Sequence, residues 1–173
     1  DLINELTHIR IEQIVARKHI RAWGKFLNSK KEIIIVFEDD VICNKDSEER
    51  LKILFHEIQY FNFDYLFVDL AGGYEYKKII PKNKIKKIED EKIFIQGIFT
   101  NTACGYLMNR SVVEKLYKEY ESFNSSKILP IDHLINNLNL KSHNGKLTLC
   151  IHFKKPIFTH GSFTGNIKSW QIK

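Results

Sequence analysis

The stretch IIIVFEDDVICN, residues Ile33 to Asn44, is the most informative part of the sequence for predicting fold and function. Its first five residues, Ile33 to Phe37, predict a short buried strand, because β-branched and aromatic side chains favour extended backbone. Three consecutive carboxylates follow, Glu38, Asp39 and Asp40. Loops at the carboxyl ends of strands form the usual ligand crevice of α/β sheets, and adjacent acids repel one another unless a cation or several donors neutralise them. The motif therefore favours a site for Mg²⁺ or Mn²⁺, and a turn capped by Asp40 stays open as the alternative.

Composition indicates a folded domain with a basic surface. The chain has 173 residues, of which 43% are hydrophobic and 12% aromatic, so residues 1–173 can form a single domain with its own core. The net charge of +6 favours anionic partners such as nucleotides or acidic glycans. The Lys- and Ile-rich segment Lys77 to Lys92 is interpreted as strands with a solvated lysine face, with an anion-binding patch as the alternative. We expect no nucleic-acid partner.

The cysteines and the apolar runs bear on the compartment. Cys43, Cys104 and Cys150 are widely spaced in apolar sequence, which favours reduced, mostly buried thiols over a disulfide framework or a zinc site. No apolar run approaches the length of a membrane span, and no signal peptide is visible. We expect a cytoplasmic protein, and peripheral association with a membrane stays open.

Hydrophobic periodicity predicts alternating helices and strands in the first half of the chain. The predicted elements are a helix over Ile9 to Leu27, the strand Ile33 to Phe37, a helix from Asp46 or Ser47 to about Tyr60, and the buried strand Tyr65 to Leu70. Such alternation favours parallel strands covered by helices.

The second half has a different pattern. Short, antiparallel β segments are expected after Gly72 and Gly73, and a capping box of Ser111 and Glu114 is expected to open a helix. The predicted elements are strands at Lys78 to Ile80, Ile85 to Ile88, Lys92 to Ile95, Thr102 to Met108 and Lys146 to His152, and helices from Ser111 to about Tyr120 and from Pro130 to Leu138.

Several patches, in order, resemble glycosyltransferase family 25, the lipooligosaccharide biosynthesis and collagen galactosyltransferase family. They are ARKHIRAWGKFL (Ala16 to Leu27), FEDDV (Phe37 to Val41), TACGYLMNR (Thr102 to Arg110), LPIDH (Leu129 to His133) and, where a late His motif is expected, FTHGS (Phe158 to Ser162). FEDDV resembles the family's version of the DxD metal motif. Two features depart from the family: Lys18 stands where a Ser is usual, and the family's first strand is not recognisable ahead of Leu2.

The resemblance implies an α/β fold of the GT-A type, a Rossmann-like mixed sheet flanked by helices that lacks its first strand here. It also implies Mn²⁺ or Mg²⁺ as cofactor and a UDP-sugar as donor. Asp40, together with Glu38 or Asp39, would hold the metal. His160 would be a third ligand or, alternatively, an ordinary packed histidine. The further residues implied in binding the nucleotide-sugar are Lys18, His19, Asp39 and Gly105. For His19 an ordinary packed histidine is the alternative.

Two further carboxylates are candidates for the transfer chemistry. Asp132 follows Pro130 at the start of a predicted helix and would be either the base that deprotonates the acceptor or a helix cap. Asp69 ends the strand YLFVDL and could bond donor or acceptor. The glycines after it, Gly72 and Gly73, indicate a close approach to ligand or a turn.

The residues and the resemblance together suggest three alternative functions. The first is an inverting, metal-dependent glycosyltransferase that moves galactose or glucose to a glycan or to hydroxylysine of a collagen-like protein. The second is a degenerate GT-A-like domain that binds a sugar or a partner without turnover, motivated by the unrecognised first strand. The third, a metal-dependent phosphohydrolase or nuclease, is disfavoured because no second acidic cluster accompanies the first.

Overall fold

The computed structural model describes residues 2–61, 64–72, 82, 85–98, 100, 102–122, 129–141, 148–162 and 164–165. These residues form four helices, listed with their bounds: α1 (Leu2–Leu27), α2 (Ser47–Ile58), α3 (Arg110–Ser122) and α4 (Ile131–Lys141). They also form eight strands: β1 (Ile33–Phe37), β2 (Val41–Cys43), β3 (Tyr65–Asp69), β4 (Ile85–Glu89), β5 (Lys92–Gln96), β6 (Gly105–Asn109), β7 (Thr148–Phe153) and β8 (Phe158–His160).

Six of these strands form one mixed sheet in the order β1-β6-β3-β7-β5-β4, and β2 pairs with β8 in a separate two-stranded ribbon. Strand β6 runs antiparallel to both β1 and β3, and β3 runs parallel to β7. Strands β1, β3 and β7 therefore point the same way, and their carboxyl ends lie at one edge of the sheet together with the start of β6. The predicted mixed α/β sheet flanked by helices is confirmed.

The two strands of the first half have the same direction, as expected, but they are not neighbours in the sheet. Strand β6 lies between β1 and β3. Among the described strand pairs only β3 and β7 are parallel. Alternation along the chain indicates strand direction, whereas the insertion of a later strand depends on packing that a local pattern does not contain.

The sheet is covered on both faces. Helices α1, α3 and α4 pack on one face, with Trp23 and Leu116 fully buried against Phe67. Helix α2 covers the other face, where Leu54 lies against the side chains that alternate with the first set, such as Val68. Side chains of a strand point to opposite faces in turn, so a strand buried on both faces is apolar throughout, as YLFV in β3 is.

Helix α1 presents its buried face at helical spacing, through Ala16, Ile20, Trp23 and Phe26. It starts at Leu2, seven residues before the predicted start at Ile9, and Ile14 is exposed although the predicted apolar pattern includes it. Among the described residues no strand precedes β1. No described helix has both the length and the apolar character that a membrane span needs.

The remaining boundaries agree with the sequence to within a few residues, with two corrections. The cap of α3 is Asn109, whose Oδ1 accepts a hydrogen bond from the backbone N–H of Val112 at 3.2 Å, and not the predicted box of Ser111 and Glu114. Strands β2 and β8 were not predicted. The expected strand Lys78 to Ile80 and Gly73 lie outside the described residues. All three cysteines are free thiols, with Cys104 and Cys150 buried and Cys43 exposed.

Candidate active site

The three consecutive acids after β1 face different surroundings. Glu38 points back toward α1, where its Oε1 lies 3.1 Å from Nε2 of His19. Asp39 is exposed. Asp40 points toward the ribbon, and its side chain is 15% exposed. The backbone turn therefore directs the three carboxylates to different surroundings. This reduces their mutual repulsion even without a bound cation.

Asp40 is the centre of the first group of polar contacts. Its Oδ2 accepts a hydrogen bond from Oγ of Ser162 at 2.6 Å, and its Oδ1 accepts one from Sγ of Cys104 at 3.3 Å. Nδ1 of His160 lies 3.4 Å from Oδ2 of Asp40. Burial raises the pKa of Asp40, but the hydrogen bonds from Ser162 and Cys104 and the charge of His160 lower it more, so the net pKa lies below the ordinary value.

Backbone pairing explains why these distant residues meet. In the ribbon, Val41 of β2 is opposite His160 of β8, and the backbone N–H of Gly161 donates to the carbonyl of Asp40 at 2.8 Å. Cys104 directly precedes β6, and its carbonyl accepts from the N–H of Glu38 at 2.8 Å. The acidic motif and the late HGS motif are thus joined by β pairing, which the sequence did not reveal because both strands have only three residues.

The Asp40, Cys104 and His160 side chains form a potential metal site. One oxygen, one sulfur and one nitrogen from them lie within 4.8 Å of one another. This group combines two of the predicted metal residues, Asp40 and His160, with a cysteine that the sequence analysis did not select. The remaining predicted ligand, Glu38, takes part in the second group of contacts instead, so its metal role stays a prediction.

A directed hydrogen-bond network holds Glu38. Nε1 of Trp23 donates to the hydroxyl of Tyr106 at 3.0 Å, and that hydroxyl lies 2.8 Å from Nδ1 of His19. Since the Tyr106 oxygen already accepts from Trp23, its own proton is available to Nδ1, which leaves Nε2 of His19 to donate to Glu38. Burial raises the pKa of Tyr106 strongly, so it remains a neutral donor.

His19 is 4% exposed, and both of its ring nitrogens face protein partners. The neighbouring residue Lys18 is exposed. The prediction that both contact the nucleotide is not tested by this arrangement, but the environment of His19 gives it a second task, the orientation of Glu38. The ring of His19 is stacked on Tyr106, with centroids 5.7 Å apart.

Asp69 is a buried acid at the carboxyl end of β3, only 4% exposed. Its Oδ2 lies 3.5 Å from Nδ1 of His152 and accepts a long hydrogen bond from Oγ1 of Thr100 at 3.4 Å. Burial raises the pKa of Asp69, and the charge of His152, the N–H of Ala71 and Thr100 oppose this only in part. A Cβ at Gly72 would lie 3.3 Å from Oδ1 of Asp69, so this glycine admits the carboxylate.

Gly105, predicted to contact the donor, has a packing reason of its own. A Cβ at this position would lie 3.0 Å from Cβ of Ala71 and 3.1 Å from Cδ1 of Phe37. Both distances are shorter than ordinary van der Waals contact, so a side chain here would push β1 and the end of β3 apart. Its predicted contact with the donor stays a prediction.

Asp132 lies in the first turn of α4, where its Oδ1 accepts a hydrogen bond from the backbone N–H of His133 at 2.9 Å. Burial raises its pKa, the hydrogen bond and charge of His133 lower it, and the negative charge of Glu38 raises it. The net shift is upward. The carboxylate thus bonds a helix N–H, as a cap does, and also has the raised pKa that suits a base. Glu38 thus contributes to the upward shift of the Asp132 pKa, after the larger effect of burial.

Comparison with known families now adds to this geometry. A mixed sheet with acids at the carboxyl ends of β1 and β3 is typical of α/β enzymes that bind a ligand at that edge. Residues 16–135, more than half of the chain, match the model of glycosyltransferase family 25 (LPS biosynthesis protein). The chain belongs to this family. A comparison with curated proteins gave no match. The matched range contains every predicted site residue except His160.

Proposed function

We propose that this domain is an inverting, metal-dependent glycosyltransferase that moves galactose or glucose from a UDP-sugar to a glycan or to hydroxylysine of a collagen-like protein. Membership of glycosyltransferase family 25 supports sugar transfer as the reaction. The observation that carries the metal dependence is the meeting of Asp40 and His160 across the ribbon of β2 and β8. Carboxylate oxygen and imidazole nitrogen together suit Mn²⁺ or Mg²⁺, with Mn²⁺ the better match to the nitrogen.

The donor set fits a divalent cation on the chemistry of its residues. Asp40 has a lowered pKa and is ionised at neutral pH, while His160 offers a ring nitrogen at the same point. When bound, the cation supplies charge neutralisation for the diphosphate that leaves the sugar. Ser162 holds Oδ2 of Asp40 through its hydroxyl, so this carboxylate has a fixed orientation before any ligand arrives.

The transfer step needs a base on the acceptor. As the acceptor oxygen bonds to the anomeric carbon, the bond from that carbon to the β-phosphate oxygen breaks, and the acceptor proton must be removed. In the proposal this proton goes to a carboxylate oxygen of Asp132. A raised pKa makes Asp132 a stronger base than an ordinary aspartate, and the nearby charge of Glu38 contributes to that shift. The network through His19 and Tyr106 orients Glu38.

Asp69 remains the second catalytic candidate. It is almost fully buried and has polar contacts with His152 and Thr100. We propose that it holds neighbouring groups in place and that Asp132 takes the acceptor proton. Asp39 and Lys18 are exposed and would be available to the nucleotide-sugar.

The reaction is tested by incubating the full chain with UDP-galactose or UDP-glucose and Mn²⁺ and measuring released UDP. We expect release that EDTA abolishes and that Asp40→Asn reduces to background. Asp64→Asn, which changes an exposed aspartate, is the matched control and should release UDP at the normal rate. UDP release that is the same with EDTA and with Mn²⁺ would contradict the metal dependence.

A degenerate domain that binds without turnover is the second candidate. Two observations favour it. Among the described residues β1 is an edge strand with no further strand beside it, and Phe37 at its end is 44% exposed. Metal-dependent binding of UDP with no release of UDP from either sugar donor would support it. The acceptor and a peripheral membrane association belong to the transferase proposal and are supported by the resemblance and the net charge of +6. The cytoplasmic location is proposed from the three cysteines, which are free thiols.

A further inference from the structure

The Cys104 thiol has an environment unlike that of the other two cysteines. Its side chain is fully buried, and its hydrogen bond goes to a carboxylate, Oδ1 of Asp40, at 3.3 Å. Cys150 is buried in the core, with Sγ 3.4 Å from Nε2 of His152, and Cys43 is exposed on β2. Of the three thiols, Cys104 alone belongs to the cluster with Asp40 and His160 that the described residues form.

The distances in this cluster suit a single ion. Typical metal–ligand lengths are about 2.3 Å for sulfur and about 2.0 to 2.2 Å for nitrogen and oxygen, so neighbouring ligand atoms of one ion lie roughly 3 to 4 Å apart. Sγ of Cys104 lies 3.3 Å from Oδ1 of Asp40, and Nδ1 of His160 lies 3.4 Å from Oδ2 of the same carboxylate, both in this range. All three atoms lie within 4.8 Å of one another. Asp40 and His160 are 15% and 13% exposed, which leaves an approach from solvent.

The backbone fixes this geometry before an ion binds. Cys104 is held by its carbonyl bond to the N–H of Glu38, and His160 by its pairing with Val41. Each ligand therefore comes from a strand terminus and not from a free loop, which reduces the ordering that binding requires.

The sulfur changes which ions the site prefers. Mg²⁺ selects oxygen ligands, whereas thiolate with imidazole selects Zn²⁺, Co²⁺ and the softer Cd²⁺. Without an ion Sγ of Cys104 donates its proton in a hydrogen bond to Oδ1 of Asp40, so the thiol is protonated in this arrangement. Binding forms the bond from sulfur to the ion and releases the Sγ proton to solvent, so a thiolate and a carboxylate together balance the double positive charge.

We propose that Cys104 is a third metal ligand beside Asp40 and His160, and that it makes the site selective for thiophilic ions over Mg²⁺. The proposal rests on the proposed function in sharing Asp40 and His160 with the metal site named there. The wide spacing of the three cysteines along the chain favoured buried thiols over a zinc site. In the fold, however, Cys104 lies next to Asp40 and His160, which come from distant segments. Zn²⁺ or Cd²⁺ would then displace Mn²⁺ from the protein.

The test is a titration of the full chain with Co²⁺, followed by absorbance in the near ultraviolet, where a thiolate bonded to Co²⁺ gives a charge-transfer band. We expect this band and the release of one proton for each ion bound. Cys104→Ser and Cys104→Ala should both lose the band. Cys43→Ser and Cys150→Ala, the matched controls, should keep it.

A second measurement compares ion affinities by calorimetry. Cys104→Ser should weaken Cd²⁺ binding by about tenfold or more while Mg²⁺ binding changes by less than about threefold, because only the soft ion loses its preferred ligand. Circular dichroism establishes that the variants are folded. The thiolate band is also measured on the unmodified protein, so this part of the test does not depend on the folding of any variant.

The outcomes separate this inference from the proposed function. Co²⁺ binding to the unmodified protein without a thiolate band, or a band that survives in both Cys104 variants, would overturn the third ligand and leave the metal-dependent transfer standing. A thiolate band that Asp40→Asn removes, together with no release of UDP from either sugar donor, would support the three-ligand site and overturn the transferase.

Discussion

At the scale of single residues, the acids Glu38, Asp39 and Asp40 show why adjacent side chains cannot be assigned one role from sequence. The motif correctly indicated a turn rich in carboxylates after a strand. The partners that distinguish the acids, His19 for Glu38 and Ser162 for Asp40, come from segments 19 and 122 residues away. No local pattern contains that information.

Tyr106 shows the same limit. The sequence placed it in a strand of the family motif, but its hydroxyl joins Trp23 to His19 only in the folded chain. We predict that Tyr106→Phe lowers the free energy of unfolding by about 1 to 3 kcal/mol, because the buried Trp23 N–H and the Nδ1 of His19 lose their shared partner. Urea denaturation measures this.

Tyr60→Phe is the control for this change. Tyr60 is 74% exposed, so the loss of its hydroxyl should alter stability by less than about 0.5 kcal/mol. Equal stability of the Tyr106→Phe variant and the unmodified protein would show that the buried network is not stabilising.

Asp132 offers a test of base against cap. We predict that Asp132→Asn cuts the transfer rate by about two to four orders of magnitude, while UDP affinity is nearly unchanged, because a base acts on the acceptor and not on the donor. Asparagine can still accept from the His133 N–H, so the helix start is retained. Transfer at close to the normal rate would leave Asp132 as a cap and make Asp69 the next carboxylate to change.

The raised pKa of Asp132 also has a consequence for stability. A carboxyl whose pKa is raised on folding contributes stability that is fully present below its unfolded pKa and lost as pH rises through its folded pKa. The stability difference, which is the free energy of unfolding of the unmodified protein minus that of the Asp132→Asn variant, should therefore decrease from acidic to neutral pH. Denaturation curves at several pH values measure the difference, and an increase over that range would show that the ionised form is favoured by folding.

At the scale of elements, the ribbon of β2 and β8 carries the site. It joins the acidic motif to the HGS motif. Two side chains hold it in place: Oγ of Ser47, the first residue of α2, donates to the carbonyl of Ile157 at 2.5 Å, and Nδ2 of Asn44, which follows β2, donates to the same carbonyl at 3.1 Å. Asn44 also accepts from Oγ1 of Thr159 at 2.8 Å. Both strands have only three residues, too few for a period-2 pattern to be recognised.

We predict that Asn44→Ala weakens Mn²⁺ binding by about tenfold, because the Asn44 side chain bonds Ile157 and Thr159 and so positions the strand that ends in His160. Calorimetric titration with Mn²⁺ measures the loss. Asn28→Ala, which changes an exposed asparagine after α1, should bind Mn²⁺ normally. Unchanged binding in Asn44→Ala would mean that pairing with β2 alone positions His160.

The longer elements were predictable because their signals are local. The helical spacing of α1 and the apolar runs of β1 and β3 were recognised in the sequence, and the structure confirms them. The earlier start of α1 was missed, although Leu2, Leu6 and Ile9 continue the spacing of three and four residues. The cap at Asn109 was missed because Ser111 and Glu114 have the spacing of a capping box.

At the scale of the whole molecule, one edge of the sheet gathers the candidate residues. Glu38, Asp40 and Asp69 follow or end strands that point the same way, and Cys104 precedes a strand that runs the opposite way. The predicted α/β class and the family were both correct. The strand order was not predictable, because the position of β6 between β1 and β3 depends on contacts between segments far apart in the chain.

The central claim is that this edge binds UDP through a metal held by Asp40 and His160. Calorimetric titration of the full chain with UDP, in Mn²⁺ and in EDTA, tests it most directly. We predict clear binding in Mn²⁺, much weaker binding in EDTA because the carboxylates then repel the diphosphate, and loss of the difference in Asp40→Asn. Equal UDP affinity of the unmodified protein in Mn²⁺ and in EDTA would contradict the claim.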